Sequence, residues 1–148
     1  MHSTVENTPY LALVDDDAHS ARMLTRVLLA HGSPRVELFG ESDVAMEQLM
    51  RQLAGPVRIC PTLVLVDLKS HSDANLEFVT ALSPMATTLA IPIAVMAQQA
   101  DRHIADALHH AGAAAVFLRH ADLPAYRREA ANIVSFWARS QRLDTVGM

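Results

Sequence analysis

The sequence has a single cysteine, Cys60, among 148 residues, so it offers no intrachain disulfide. A reducing compartment is the natural setting for such a chain. No apolar run is long enough to span a bilayer. The opening stretch MHSTVENTP lacks the basic and apolar regions of a secretory signal, so the cytoplasm is the expected address. Basic residues are few and scattered, and the formal net charge is −4. Without a basic stripe, direct binding of DNA or RNA is not expected. No internal repeat, low-complexity stretch or linker divides the chain. What is present is 51% apolar and 19% charged residues, the composition of one soluble globular domain with a normal-sized core.

Strand-like and helix-like segments alternate along the chain. YLALVD (10–15) is a short apolar run suited to a strand buried on both faces. Asp17 is placed to cap a helix over 18–31, with Met23, Leu24, Val27, Leu28 and His31 on one face and Gly32 and Pro34 beyond its end. RVELF (35–39) alternates as a second strand. Ser42 is expected to cap a helix striped by Met46, Leu49, Met50 and Leu53 and ended by Gly55-Pro56. GPVRICP (55–61) reads as a longer loop. TLVLVD (62–67) is a third strand. Leu76, Val79 and Thr80 suit a third helix, expected to close before Pro84. IPIAVM (91–96) and AAVFL (114–118) are the fourth and fifth strands. They flank a helix with Ile104, Ala107, Leu108 and Ala111 on one face, ended by Gly112. Asp122 and Pro124 open the last helix. A βα unit repeated five times implies a parallel sheet with helices on both faces and right-handed crossovers, the flavodoxin-like α/β class.

In such open sheets ligands bind beyond the carboxyl ends of strands where the strand order reverses, which for the order 2-1-3-4-5 lies between strands one and three. Those strands end in Asp15-Asp16 and in Asp67. Adjacent carboxylates repel and raise at least one pKa unless water or a cation relieves them. A bland account makes them a solvated loop with Asp17 as a helix cap. Convergence of two acidic strand ends at the switch point favours a cation site instead. Mg²⁺ takes oxygen ligands of this kind, and a carboxylate there can act as a nucleophile towards phosphorus. Arg119, directly after the fifth strand, is placed to meet phosphoryl oxygens.

These segments resemble the receiver domain of two-component response regulators over almost the whole chain. LALVDDDAHSARMLTRVL is similar to the receiver start, with Asp15 and Asp16 as the acidic pair. PTLVLVDLKSHSDANLEF is similar to the phosphoacceptor segment, with Asp67 as acceptor. IPIAVMAQQAD and AGAAAVFLRHADL fill the fourth and fifth strand positions. The resemblance implies Mg²⁺ held by Asp16, Asp67 and the backbone carbonyl of Lys69, with Asp15 acting through water. It implies a sensor histidine kinase or a phosphotransfer protein as partner, and no turnover of a metabolite. SFW near the end, the ADL opening of the last helix and the long loop before strand three resemble the single-domain regulators paired with bacterial phytochrome kinases, which implies a bacteriophytochrome partner.

Several positions depart from the receiver pattern. The Ser/Thr at the end of strand four is Ala97, which removes a hydrogen bond to a charged group worth about 1.5–3 kcal/mol. The Lys after strand five is Arg119, whose planar fork is not an equivalent replacement. The following proline is His120, so the usual cis X-Pro bond is absent. The aromatic switch position is Val116. The proline and glycine of the loop after the acceptor are His71 and Asn75, with Asn75 expected to keep a left-handed turn. The expected consequence is retained metal binding with a damaged conformational switch.

Domain boundaries are expected at a tail over 1–9, a receiver over 10–140 and a polar tail over 141–148, with no output domain following. Any output is then a protein contact. In DLPAYRREAANIVSFWARS, Tyr126, Ala130, Ile133 and Trp137 form the stripe expected to face the sheet. Phe136 lies about 100° away around the helix. Both aromatics could close the core; alternatively Val134, Phe136 and Leu143, beside Trp137, form a homodimer surface on the C-terminal helix. His103, Asp106 and His110 share helical spacing but read as a solvated surface rather than a zinc site. Two functions compete with phosphoacceptance: a degenerate receiver serving as a phosphorylation-independent dimerising adaptor, and a Mg²⁺-dependent phosphohydrolase. The second needs an acid two residues after the nucleophile, where Lys69 stands.

Overall fold

Two apolar runs that end in aspartate, β1 (Tyr10–Asp15) and β3 (Leu63–Asp67), lie at the centre of the sheet. The computed structural model describes residues 8–98 and 101–146, with side chains left out at 58 and 142–146. Its elements are β1 (Tyr10–Asp15), α1 (Ala18–Ala30), β2 (Arg35–Phe39), α2 (Ser42–Leu53), β3 (Leu63–Asp67), α3 (Ala74–Thr88), β4 (Ile93–Ala97), α4 (Arg102–Ala111), β5 (Ala115–Leu118) and α5 (Leu123–Val146). A short 3₁₀ turn, Val57–Ile59, precedes β3. All strand pairs are parallel, in the order β2-β1-β3-β4-β5. The expected flavodoxin-like α/β fold is the one observed. No described helix is long and apolar enough to cross a membrane.

The unbroken apolar character of β1 and β3 follows from burial on both faces. Side chains alternate across a strand, so Leu11 and Leu13 enter one core cluster with Leu24 and Leu28 of α1 and Ile133 of α5. Tyr10, Ala12 and Val14 enter the other, with Leu49 of α2, Phe78 and Leu82 of α3 and Leu108 of α4. The Tyr10 hydroxyl lies 2.8 Å from the Ile59 carbonyl and also meets Gln52 Oε1, tying the loop before β3 to the sheet.

Local signals for helix ends hold where they rest on side-chain chemistry. Asp17 Oδ1 accepts from the amides of His19 and Ser20, and Asp122 Oδ2 accepts from Ala125 N. Ser42, expected as a cap, is instead the first residue of α2; Glu41 precedes it and makes no side-chain cap bond. Met23 is 40% exposed, and the buried face of α1 is Ala21, Leu24 and Leu28.

The third helix does not close before Pro84 but runs through it to Thr88. Proline removes one intrahelical hydrogen bond. The buried face of Phe78, Val79, Leu82 and Ala86 continues past it, and burial outweighs that loss. On α4 only Leu108 of the expected stripe is buried, while Ile104 is 46% exposed. The α5 backbone continues through 141–146, where a polar tail was expected.

Candidate functional site

Parallel pairing of β1 and β3 sets Asp15 opposite Asp67 in register at the carboxyl edge of the sheet. Both are buried, 5% and 2% exposed, and they are the acidic pair that the topology brings together. Asp15 Oδ1 accepts from Asp17 N at 2.9 Å and from Lys69 Nζ at 2.8 Å, whereas Asp15 Oδ2 is buried without a partner. Burial is the leading cause that raises the Asp15 carboxyl above the ordinary carboxylate range, with the Lys69 hydrogen bond acting against it.

Asp16 points elsewhere. Its carboxylate accepts from the backbone amides of Lys69, at 3.0 and 3.1 Å, and of Ser70, at 2.9 Å. Asp16 thereby anchors the loop that leaves β3. Asp17 is the exposed helix cap, and the Ser20 amide is the leading influence holding its carboxyl below the ordinary range. The three consecutive carboxylates therefore have three different tasks.

Two cations reach Asp67. Arg119 Nε lies 2.5 Å from Asp67 Oδ1, and its guanidinium also donates to the Leu68 carbonyl at 3.0 Å. Lys69 Nζ lies 3.1 Å from Asp67 Oδ2. Arg119 is held because its amide bonds the Ala97 carbonyl at the adjacent end of β4.

The oxygens of this site are of the type Mg²⁺ takes, and the unpartnered Asp15 Oδ2 is one free lone-pair donor. The arrangement nevertheless does not fit a metal ion in this state. Lys69 Nζ bridges Asp15 and Asp67, Asp16 is committed to backbone amides, and among the described residues no group of three His, Cys, Asp or Glu could hold a metal. His103, Asp106 and His110 are exposed on α4.

No family model and no curated protein matches the chain. Solved structures do. The Mn²⁺-bound form of response regulator Rcp1 aligns with a TM-score of 0.71 at 20% identity, over 87% of this chain and 94% of that one. A phosphorylated cyanobacterial phytochrome response regulator, RcpA, aligns with a TM-score of 0.68 at 18% identity, over 88% and 94%. A response regulator receiver domain from Rhodospirillum rubrum aligns with a TM-score of 0.72 at 15% identity, over 87% and 93%. The chain has the receiver fold.

Within the receiver fold the departures noted in the sequence take physical form. Ala97 is buried at the end of β4 and presents a methyl group rather than a hydroxyl. Val116 pairs with Val95 and packs against the core. No cis peptide occurs among the described residues, and His120 Nε2 lies 3.8 Å from Glu129 Oε2. His71 is exposed and meets Glu77 at 3.0 Å.

Asn75 does not form the expected left-handed turn. It lies in the first turn of α3 with ordinary negative φ. Its side chain accepts from Leu68 N at 2.8 Å and donates to the Met96 carbonyl at 3.1 Å, pinning the exit of β3 to β4. The expected dimer surface is also largely engaged within the chain. Phe136 packs edge-on against Phe117 with centroids 6.0 Å apart. Val134 and Trp137 pack on the core, and Trp137 Nε1 donates to Thr62 Oγ1 at 2.9 Å. The Leu143 side chain lies outside the described residues.

Two side-chain roles were not legible in the sequence. Lys69 is expected in the site through its backbone carbonyl, whereas its ammonium is the part that reaches Asp15 and Asp67; a cation two residues after an aspartate-ending strand was the available signal. Tyr126, expected only in the core stripe, has a phenol pushed up to about 12, chiefly by burial and further by the charges of Asp67 and Asp15.

Proposed function

We propose that this chain is a response regulator receiver that accepts a phosphoryl group on Asp67 and signals by protein contacts. The observation that carries this reading is Asp67 itself. It is a buried carboxylate at the switch point, beside Asp15, with the Arg119 guanidinium directly on it. An Asp67 oxygen attacks phosphorus, and the bond from phosphorus to the donor nitrogen of a phosphohistidine breaks. The donor imidazole keeps the electron pair and takes up a proton. Arg119 is placed to hold the incoming phosphoryl oxygens, a task suited to its planar fork.

The donor in this reading is a histidine kinase or a phosphotransfer protein. The RcpA neighbour, a phytochrome response regulator, supports a phytochrome kinase among the candidates. The Mn²⁺-bound Rcp1 neighbour and the oxygen donor chemistry support Mg²⁺ as the divalent ion to supply in the assay. No metabolite is turned over, and cytoplasmic action is part of the proposal. Self-association on α5 belongs to it as well, with Val134 and the outer edges of Phe136 and Trp137 as its surface.

The test is intact mass after incubation with a small-molecule phosphodonor, with and without Mg²⁺, beside Asp67→Asn. Gain of one phosphoryl group that Asp67→Asn loses is expected. No gain under conditions that modify an ordinary receiver overturns the acceptor role. That outcome favours the adaptor reading, which Ala97 supports by offering phosphate no hydroxyl. A phosphohydrolase is disfavoured because Lys69, not an acid, follows Asp67 by two residues, and its ammonium is bound to Asp67.

A further inference from the structure

The disagreement between the acidic site and a bound metal has a specific cause. Lys69 Nζ has three oxygen neighbours: Asp15 Oδ1 at 2.8 Å, Asp67 Oδ2 at 3.1 Å and the Asp67 carbonyl at 3.1 Å. The ammonium donates hydrogen bonds to Asp15 Oδ1 and to the Asp67 carbonyl and is ion-paired with Asp67 Oδ2. The two side-chain carboxylates it touches are 1% and 3% exposed, whereas the lysine side chain is 27% exposed. Lys69 thus reaches from the surface into a buried acidic pair. With Arg119 on the far oxygen of Asp67, two cations balance the two buried carboxylates.

We infer that Lys69 is the built-in cation of this site, and that a divalent metal binds only by displacing its ammonium. A metal among these oxygens would meet a positive charge about 3 Å away, where like charges in a partly buried setting repel by several kcal/mol. The displaced ammonium has a destination. Lys69 also borders a cleft of ≈ 650 Å³ walled by the carboxylate-bearing Asp17, Glu41 and Asp43. The long flexible stem of lysine makes such an exchange feasible. The chain can therefore keep its site intact without metal, and its response to metal is set by an internal competitor. This inference concerns the site of the proposed phosphoacceptor but does not depend on phosphorylation.

The experiment compares Mg²⁺ and Mn²⁺ binding by calorimetry in wild type and Lys69→Met, with melting in chelator followed by Mg²⁺. Lys69→Met is expected to bind both ions roughly tenfold or more tightly, the scale of one charge-assisted hydrogen bond no longer surrendered. It is expected to melt lower than wild type in chelator and to recover with Mg²⁺. Equal affinities in the two proteins, including no binding by either, overturn the inference. Should Lys69→Met fail to fold in chelator, the wild-type chain decides by NMR. Lys69 Cε and Hε resonances must move with the same midpoint as those of Asp15 during Mg²⁺ titration, and saturation that leaves them unmoved overturns it. Failure of phosphodonor labelling with this metal competition intact would sink the acceptor role alone.

Discussion

Arg119 crosses the carboxyl edge of the sheet and sets its Nε 2.5 Å from Asp67 Oδ1, joining the end of β5 to the end of β3. Both partners are largely withdrawn from water, so removing one leaves the other's charge poorly compensated. Arg119→Ala is expected to destabilise the chain by about 1.5–3 kcal/mol, the range for hydrogen bonds to charged groups. Asp67→Asn with Arg119→Ala should cost less than the sum of the two. A double-mutant cycle by urea unfolding checks this, and strict additivity would show that the pair carries no coupling.

Asn75 joins the Leu68 amide to the Met96 carbonyl. Asn75→Ala leaves both groups short of a partner and is expected to cost about 1–3 kcal/mol. Asn75→Asp keeps the acceptor but turns a carboxylate oxygen towards a carbonyl, so it is expected to be no better than Ala. Chemical denaturation of both variants, with unchanged m-values, is the check.

Three helices end in the same pattern of backbone bonds but not with the same residue. Gly32 (φ 95°) and Gly112 (φ 126°) follow α1 and α4, whereas α3 is followed by Ala90 at φ 57°. Ile91 N bonds the Ala86 carbonyl and Ala90 N bonds the Thr87 carbonyl, a Schellman end with an alanine where glycine is preferred. Ala90→Gly is expected to raise stability by about 1 kcal/mol, since the left-handed conformation costs about 1–2 kcal/mol with a Cβ and glycine returns part of that in the unfolded state. A lower melting temperature for Ala90→Gly would contradict it.

The indole of Trp137 donates to Thr62 Oγ1, which itself donates to the Tyr10 carbonyl at 3.1 Å. Trp137→Phe keeps an aromatic ring but removes the donor, at an expected cost of about 0.5–1.5 kcal/mol. Thr62→Val together with Trp137→Phe should then cost less than the sum. Equilibrium unfolding followed by circular dichroism reads this without the tryptophan signal.

The chain has two tyrosines, and both phenols are raised by burial, Tyr126 to about 12 and Tyr10 further still. A phenol whose folded pKa lies above its unfolded value of 10 holds its proton more tightly in the folded state. That stabilisation is fully present below pH 10 and is lost as pH rises through about 12. Absorbance at alkaline pH is expected to show little tyrosinate near pH 10 in the native chain. Full titration of one tyrosine there would contradict the burial of that ring.

The fold class was legible in the residue order, because hydrophobic periodicity and helix caps are short-range signals that each segment carries alone. YLALVD and TLVLVD mark strands buried on both faces, and their aspartate ends, set by the strand order, become neighbours. Asp17 and Asp122 cap their helices through bonds that reach only two or three residues. The destinations of long or bifunctional side chains were not legible there, because they depend on distant partners. Lys69 finds Asp15, 54 positions away in sequence, and Arg119 finds Asp67, 52 positions away. Phe136 meets Phe117 edge-on, and α3 passes through Pro84 because its apolar face continues beyond the proline. Local propensity sets the path of the backbone, but which charges share a buried pocket depends on which distant strand ends the sheet brings together.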